Sequence, residues 1–102
     1  MSIAFASDNL VSLSSLYDTV ASSYINNATV SGVLTDYTGA TVTTVSLSYV
    51  SASNGNYRGT LPASVTATLT IGPIYYLTVS ATVSSSVVWV DRQGHYVDYI
   101  NT

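Results

Sequence analysis

Apolar and hydroxyl-bearing side chains alternate with a period of two residues along much of this sequence. The alternation is most regular over residues 74–83. The odd-numbered positions there are Tyr75, Leu77, Val79, Ala81 and Val83, and the even-numbered positions are Tyr76, Thr78, Ser80 and Thr82. Because successive side chains of a β-strand point to opposite faces, this pattern predicts a strand with one buried face. We expect it to be a central strand of a sheet.

Similar runs recur between turn-forming clusters at the spacing that is typical of a β-sandwich. The predicted strands cover residues 9–16, 28–35, 41–50, 57–61, 65–71, 74–83 and 87–90, and a short helical turn over residues 19–23 is an alternative to irregular chain. The 102 residues suit one domain. We therefore predict an all-β fold, an immunoglobulin-like β-sandwich of about seven antiparallel strands that forms a single domain over residues 1–102. Residues 1–8 and 96–102 lack the pattern and are predicted to be extended, mobile ends that become ordered against neighbouring molecules.

Three local signals refine this prediction. Between Val42 and Val45 the apolar parity shifts by one residue, as a β-bulge would cause. Residues 36–39, Asp-Tyr-Thr-Gly, predict a reversal in which the glycine adopts positive φ and the aspartate caps an amide. Residues 53–56, Ser-Asn-Gly-Asn, predict a hairpin with a type I′ turn.

A tyrosine follows the predicted turn at Gly72 and precedes the core position Leu77 by two residues. This is the arrangement of the tyrosine corner of immunoglobulin-like domains, in which the hydroxyl is hydrogen-bonded to the backbone a few residues upstream. Tyr75 is expected to make that bond. Because the chain has nine tyrosines, a coincidental match is the alternative.

Charged residues make up only 7% of the chain, against about 25% in an average protein, and lysine and glutamate do not occur. The net charge is -3, and Arg58 and Arg92 are the only basic side chains. Two arginines cannot form the patch that neutralises phosphates, so we expect no nucleic-acid partner. A surface of hydroxyls and tyrosines fits a protein covered by other proteins, while a secreted or engineered domain kept in solution by hydroxyls is the alternative.

The sequence offers no equipment for catalysis. With no cysteine, thiol chemistry and thiolate metal sites are excluded. Asp91, His95 and Asp98 have the spacing of a helix face, yet they follow a predicted strand, so we expect a solvated turn over residues 91–95. Asp8, Asp18 and Asp36 are expected to be caps; no nucleophile elbow, calcium loop or phosphate loop occurs. We predict no enzyme, no cofactor and no metal.

No secretory signal is recognisable at the start of the sequence, and no apolar run is long enough to span a membrane. These features predict a protein made in the cytoplasm, without a membrane partner.

Arg58 stands beside Tyr57 after a predicted tight turn, and tyrosine and arginine are enriched at interface hot spots; a solvated arginine is the alternative. The predicted interface candidates are Tyr49, Tyr57, Arg58, Trp89, Tyr96 and Tyr99.

A set of short motifs spans nearly the whole chain. These are Asp-Asn-Leu at 8–10, Leu-Tyr-Asp at 16–18, Tyr-Ile-Asn-Asn-Ala-Thr-Val at 24–30, Asp-x-x-Gly at 36–39, Tyr-Val-x-x-Ser-Asn-Gly-x-Tyr-Arg-Gly-Thr-Leu at 49–61, and Gly-x-x-Tyr at 72–75. Their succession resembles small immunoglobulin-like accessory proteins of tailed bacteriophages, which are encoded among head and tail morphogenesis genes. This chain departs from them in its lack of lysine and glutamate.

The resemblance implies a structural protein of the virion, made in the host cytoplasm and present in many copies. It would bind capsid or connector proteins as a cement, decoration or head-to-tail component, through strand addition at sheet edges. The alternative is an adhesion module that presents Trp89, Tyr96 and Tyr99 to a host glycan or receptor.

Overall fold

The computed structural model describes residues 2–98. Over that range the fold is all-β, and its strands pair mostly in antiparallel fashion, which confirms the predicted fold class. The elements are β1 (Ser2–Ala4), β2 (Asn9–Leu13), β3 (Tyr17–Asp18), β4 (Ser23–Tyr24), β5 (Thr29–Thr35), β6 (Thr41–Tyr49), β7 (Tyr57–Leu61), α1 (Ala63–Thr66), β8 (Ile74–Val83) and β9 (Ser86–Asp98).

Seven of the strands are hydrogen-bonded in the order β1-β9-β8-β5-β6-β7-β2, and β3 and β4 form a separate two-stranded hairpin. Strand β6 belongs to both layers of the sandwich: residues 41–47 pair with β5, while Ser48 and Tyr49 pair with β7. The first layer is therefore β1-β9-β8-β5-β6, and the second is β6-β7-β2. This division leaves the second layer two strands narrower than the first.

The core lies between these layers and is built from the alternate residues that face inward. Its members include Val11 and Leu13 of β2, Val30 and Leu34 of β5, Val45 and Leu47 of β6, Tyr57 and Leu61 of β7, and Tyr75, Val79 and Ala81 of β8. As predicted, β8 is an interior strand, paired with β5 on one side and β9 on the other. The chain has no cysteine, so this packing and the strand ladders stabilise the fold.

The predicted bulge is present in β6. Leu34 pairs with Thr43 and Thr35 pairs with Thr41, so Val42 is the extra residue between them. The predicted reversal at residues 36–39 is also confirmed, because the Asp36 carboxylate accepts hydrogen bonds from the amides of residues 38 and 40, and Gly39 has a φ of 92°. The Thr38 hydroxyl donates to the same carboxylate, and this bond is the main cause that lowers the pKa of Asp36.

The predicted tyrosine corner is also confirmed. The backbone amide of Thr70 donates a hydrogen bond of 2.9 Å to the hydroxyl of Tyr75, which is buried. The hydroxyl thus holds the chain five residues upstream, just before β8 begins.

The hairpin between β6 and β7 exists, but the type I′ prediction for its turn was wrong. The connection spans residues 50–56, and its positive φ angles fall at Ala52 and Gly55, whereas a type I′ turn over Asn54 and Gly55 would need both of those residues there. The reason is a tertiary contact. The Leu16 amide donates to the Gly55 carbonyl (3.0 Å), and the Gly55 amide donates to the Asn26 side chain (2.8 Å), which shapes a longer loop.

The strand predicted for residues 65–71 was wrong, because this segment forms the short helix α1 followed by turns. The Asp8 carboxylate accepts a hydrogen bond of 2.7 Å from the amide of Ala63 at the start of the helix. Thr66 is completely buried, and its hydroxyl bonds both the amide and the carbonyl of Ser7. These distant partners override an alternation that would also suit a strand.

Two further predictions were wrong. Residues 91–95 are not a turn, because β9 continues through them to Asp98 and pairs with β8 as far as Tyr96. The two ends are not free, since Ser2–Ala4 pairs in parallel with Tyr96–Asp98 of the same chain; residues 1 and 99–102 lie outside the described range. Of the alternatives for residues 19–23, the helical turn does not form, because residues 19–22 are the turn of the β3-β4 hairpin.

Candidate interaction groove

A groove of about 320 Å³ lies between the two layers, beside β2. Its floor consists of alternate residues of β9, namely Trp89, Asp91, Gln93 and His95, which share the inward face of that strand. Its wall consists of four consecutive residues of β2, Asn9 to Ser12. Contact with consecutive residues shows that the groove runs along the edge of β2, because a contact with one face would involve every second residue.

The groove therefore occupies the position that the next strand of the second layer would fill. Beyond β9, its floor includes Leu77 and Val79 of β8 and Leu34 of β5. Trp89 is half-buried and packs against the core. Leu34 and Val79 are buried, so the apolar surface that the narrower second layer leaves partly open comes from Leu77 and Trp89, which are half-buried.

Polar side chains lie along one part of the floor. Asp91 is half-buried, and its carboxylate accepts a hydrogen bond of 2.9 Å from the Gln93 side-chain amide. His95 is buried at the far end of the groove, where the sequence predicted a solvated turn. Asp98 lies on the outward face of β9, opposite to the face that carries Asp91 and His95. The three side chains therefore do not converge on one site. Among residues 2–98, no group of three or more histidine or acidic side chains could hold a metal ion.

The groove is bordered by two free strand edges. Among the described residues, β2 pairs only with β7, and residues 86–95 of β9 pair only with β8. Apolar side chains along these edges are strongly exposed: 66% for Leu10, 64% for Val87 and 57% for Val90, with Val88 also exposed. We call the groove and these two edges the open seam.

The helix of the described residues, α1, has four residues, so none of the helical structure in that range could span a membrane.

The exposed position predicted for Tyr57 was wrong. Its side chain is 1% exposed, and its hydroxyl donates to the Ile25 carbonyl (2.7 Å) and accepts from the Ala28 amide (3.1 Å). Tyr57 and Leu61 both lie on the inward face of β7 and are buried in the core. Arg58 lies on the outward face of β7, and Tyr49 is partly exposed with its ring 5.6 Å from that of Tyr57.

The aromatic residues near the end of the chain do not form one surface. Trp89 faces the groove, whereas Tyr96 lies seven residues further along β9, on the outward face, and is 55% exposed. Tyr99 lies outside the described residues. The adhesion site predicted from Trp89 and Tyr96 is therefore not assembled on a single face.

Sequence reasoning named Trp89 but missed the other parts of the open seam. Leu10, Asp91 and Gln93 border the groove because β2 ends one layer while β9 extends beyond it in the other. Alternation gave no signal for the length of β9, because residues 87–90 are all apolar and the inward positions 91, 93 and 95 are polar. The pairing with β8 shows that the strand continues beyond residue 90.

Comparison with protein-family models, with curated protein sequences and with solved structures gave no significant match to this chain.

Proposed function

We propose that this protein is a non-enzymatic structural component of a tailed-phage virion, present in many copies, that attaches to capsid or connector proteins through its open seam. The observation that carries the proposal is the pair of free edges beside a groove whose floor includes the half-buried side chains of Leu77 and Trp89. The virion setting is supported by the resemblance of the sequence motifs to phage accessory proteins.

Free strand edges present unpaired N–H and C=O groups, which readily pair with another chain. Proteins that stay monomeric commonly place proline or charged side chains, especially lysine, on such edges. Residues 86–90 of β9 carry no charge and include Val87, Val88 and Val90, all exposed. This edge is therefore better suited to being covered than to lasting contact with water, which supports attachment by strand addition.

The low charge of the whole surface supports the same function. Only two basic and five acidic side chains occur in 102 residues, so a neighbouring protein could cover much of the surface without burying unpaired charges. The distribution of the tyrosines adds less support than expected, because Tyr57 and Tyr75 are buried.

The experiment has two parts. Mass spectrometry of purified particles of the encoding phage should find the protein in many copies. Recombinant protein should then bind particles that lack it, and the Val88→Lys/Val90→Lys double variant should bind at least about tenfold less, because lysines on an edge oppose strand addition.

The Thr44→Lys/Ser46→Lys double variant is the matched control, since both residues are exposed on β6, away from the open seam. It should bind like the unmodified protein. Absence of the protein from purified particles, or full binding by the double-lysine variant, would contradict the proposal. Binding to host-cell glycans in place of particles would favour the adhesion module.

A further inference from the structure

We infer that the groove receives one extended segment of a partner protein, laid beside β2, whose inward side chains follow the order apolar, basic, apolar, with the basic group opposite Asp91. This inference rests on the proposed function and specifies the chemistry of the partner. It differs from attachment along the outer edge of β9, because here the segment enters the space between the layers.

The geometry requires an extended segment. Four consecutive residues of β2 line the groove, so the backbone edge of that strand is its wall. A peptide that pairs with this edge continues the second layer and covers the floor formed by β8 and β9. Since β2 has five residues, the matching segment is about 17 Å long.

The apolar positions of the partner segment follow from the apolar side chains on the floor of the groove. Trp89 precedes Asp91 by two residues on β9, and Leu77 of β8 pairs with Gln93, which follows Asp91 by two residues. Both apolar side chains line the groove and are half-buried. Side chains of an added strand point toward the floor at every second residue. Two apolar side chains, placed two residues before and two residues after a central one, would cover this surface.

The basic position follows from charge complementarity. Asp91 is half-buried on the floor, and the Gln93 amide is the only donor to its carboxylate within residues 2–98. Neither of the two arginines reaches it. Arg92 faces the opposite side of β9, with its guanidinium 4.1 Å from the centre of the Tyr76 ring, and Arg58 lies on the outward face of β7.

A second copy of this chain is a poorer occupant than another protein. The chain has no lysine, and neither arginine has apolar residues on both sides at a distance of two positions. Asn56 and Thr60 flank Arg58, and Val90 and Gly94 flank Arg92. The described part of a second copy thus offers no free segment that combines a basic residue with apolar neighbours two positions away. The groove therefore selects a different protein, one with a free segment of this composition.

The test uses the full-length ¹⁵N-labelled protein and two synthetic peptides. One is acetyl-Thr-Val-Thr-Arg-Thr-Val-Thr-amide, and the other replaces the arginine with glutamate. Titration of the arginine peptide should shift the amide signals of residues 9–13 and 89–95. It should bind about fivefold more tightly than the glutamate peptide, as expected for one partly exposed ion pair.

Two variants separate the pairing from general electrostatics. Asp91→Arg should reverse the preference, so that the glutamate peptide binds more tightly. Asp98→Arg changes the net charge equally but lies on the other parity of β9, and it should keep the preference for arginine. Circular dichroism and the thermal midpoint check that both variants are folded.

Several outcomes would overturn the inference: no binding at millimolar peptide, equal binding of the two peptides, or shifts confined to the outer edge of β9. Shifts that depend on protein concentration without peptide would assign the groove to a second copy instead. Each of these results is compatible with a protein found in purified particles, so failure of this inference is distinguishable from failure of the proposed function.

Discussion

Single side chains connect segments that are far apart in this sequence. The Tyr57 hydroxyl, buried in the core, joins β7 to the chain at Ile25 and Ala28 through one donated and one accepted hydrogen bond. Gly55 provides a second link, because its backbone lies directly against that of Leu16. The end of the β6-β7 connection and the start of β7 are therefore bonded to the chain before the β3-β4 hairpin, at Leu16, and to the chain after it, at Ile25 and Ala28.

Gly55→Ala should destabilise the protein by about 2 to 4 kcal/mol. Gly55 has a φ of +69°, and an added Cβ would lie 2.5 Å from the Leu16 carbonyl oxygen, so strain and a backbone clash combine. Gly39→Ala is the control, because Gly39 also has positive φ but an added Cβ would meet nothing within 4 Å. Gly39→Ala should lower the free energy of unfolding by only about 1 kcal/mol. Urea denaturation of both variants measures the difference. Equal losses for the two variants would show that the contact with Leu16 is unimportant.

At the scale of elements, α1 is stabilised by the chain that precedes β2. It has only four residues, too few to be stable as an isolated helix. The Asp8 carboxylate accepts from its first amide, and the Thr66 hydroxyl bonds the backbone of Ser7. The short helix and the β1-β2 connection thus order each other.

Thr66→Val removes this hydroxyl with little change of shape. We expect a loss of about 1 to 3 kcal/mol, because the amide and the carbonyl of Ser7 lose their partner in a partly buried site. Hydrogen exchange at the Ser7 amide should become faster. Thr68→Val provides the comparison, since the Thr68 hydroxyl is exposed and bonds only the nearby Val65 carbonyl. An unchanged exchange rate at Ser7 in the Thr66 variant would disprove the coupling.

At the scale of the whole molecule, the two ends of the described chain meet. The β1 strand pairs in parallel with the last three residues of β9, and Ile3 is buried in the common core. This pairing covers one part of the β9 edge and leaves residues 86–95 free. The pairing of β1 with β9 therefore completes the core and sets where the free edge of β9 ends.

Ile3→Ala should cost about 2 to 5 kcal/mol in thermal or chemical denaturation, because it leaves a cavity in the core. Leu10→Ala, which shortens an apolar side chain that is 66% exposed, should change stability by less than about 0.5 kcal/mol. A small effect of the Ile3 substitution would mean that the amino-terminal strand is not part of the cooperative fold.

The sequence by itself determined the all-β class, the interior position of β8, the bulge at Val42, the Asp36 turn and the Tyr75 hydrogen bond. Each of these depends on side-chain parity or on residues within a few positions of one another, so a local pattern is sufficient to predict it.

Only the tertiary structure decided the helix α1, the burial of Tyr57, the course of the loop at Gly55 and the place of the open seam. These features depend on hydrogen bonds and packing between segments 30 to 60 residues apart, such as Ser7 with Thr66 and Ile25 with Tyr57. Alternation predicts that a strand has two faces. Which of its edges stays unpaired depends on how many strands each layer receives, and that number is set by the assembled fold.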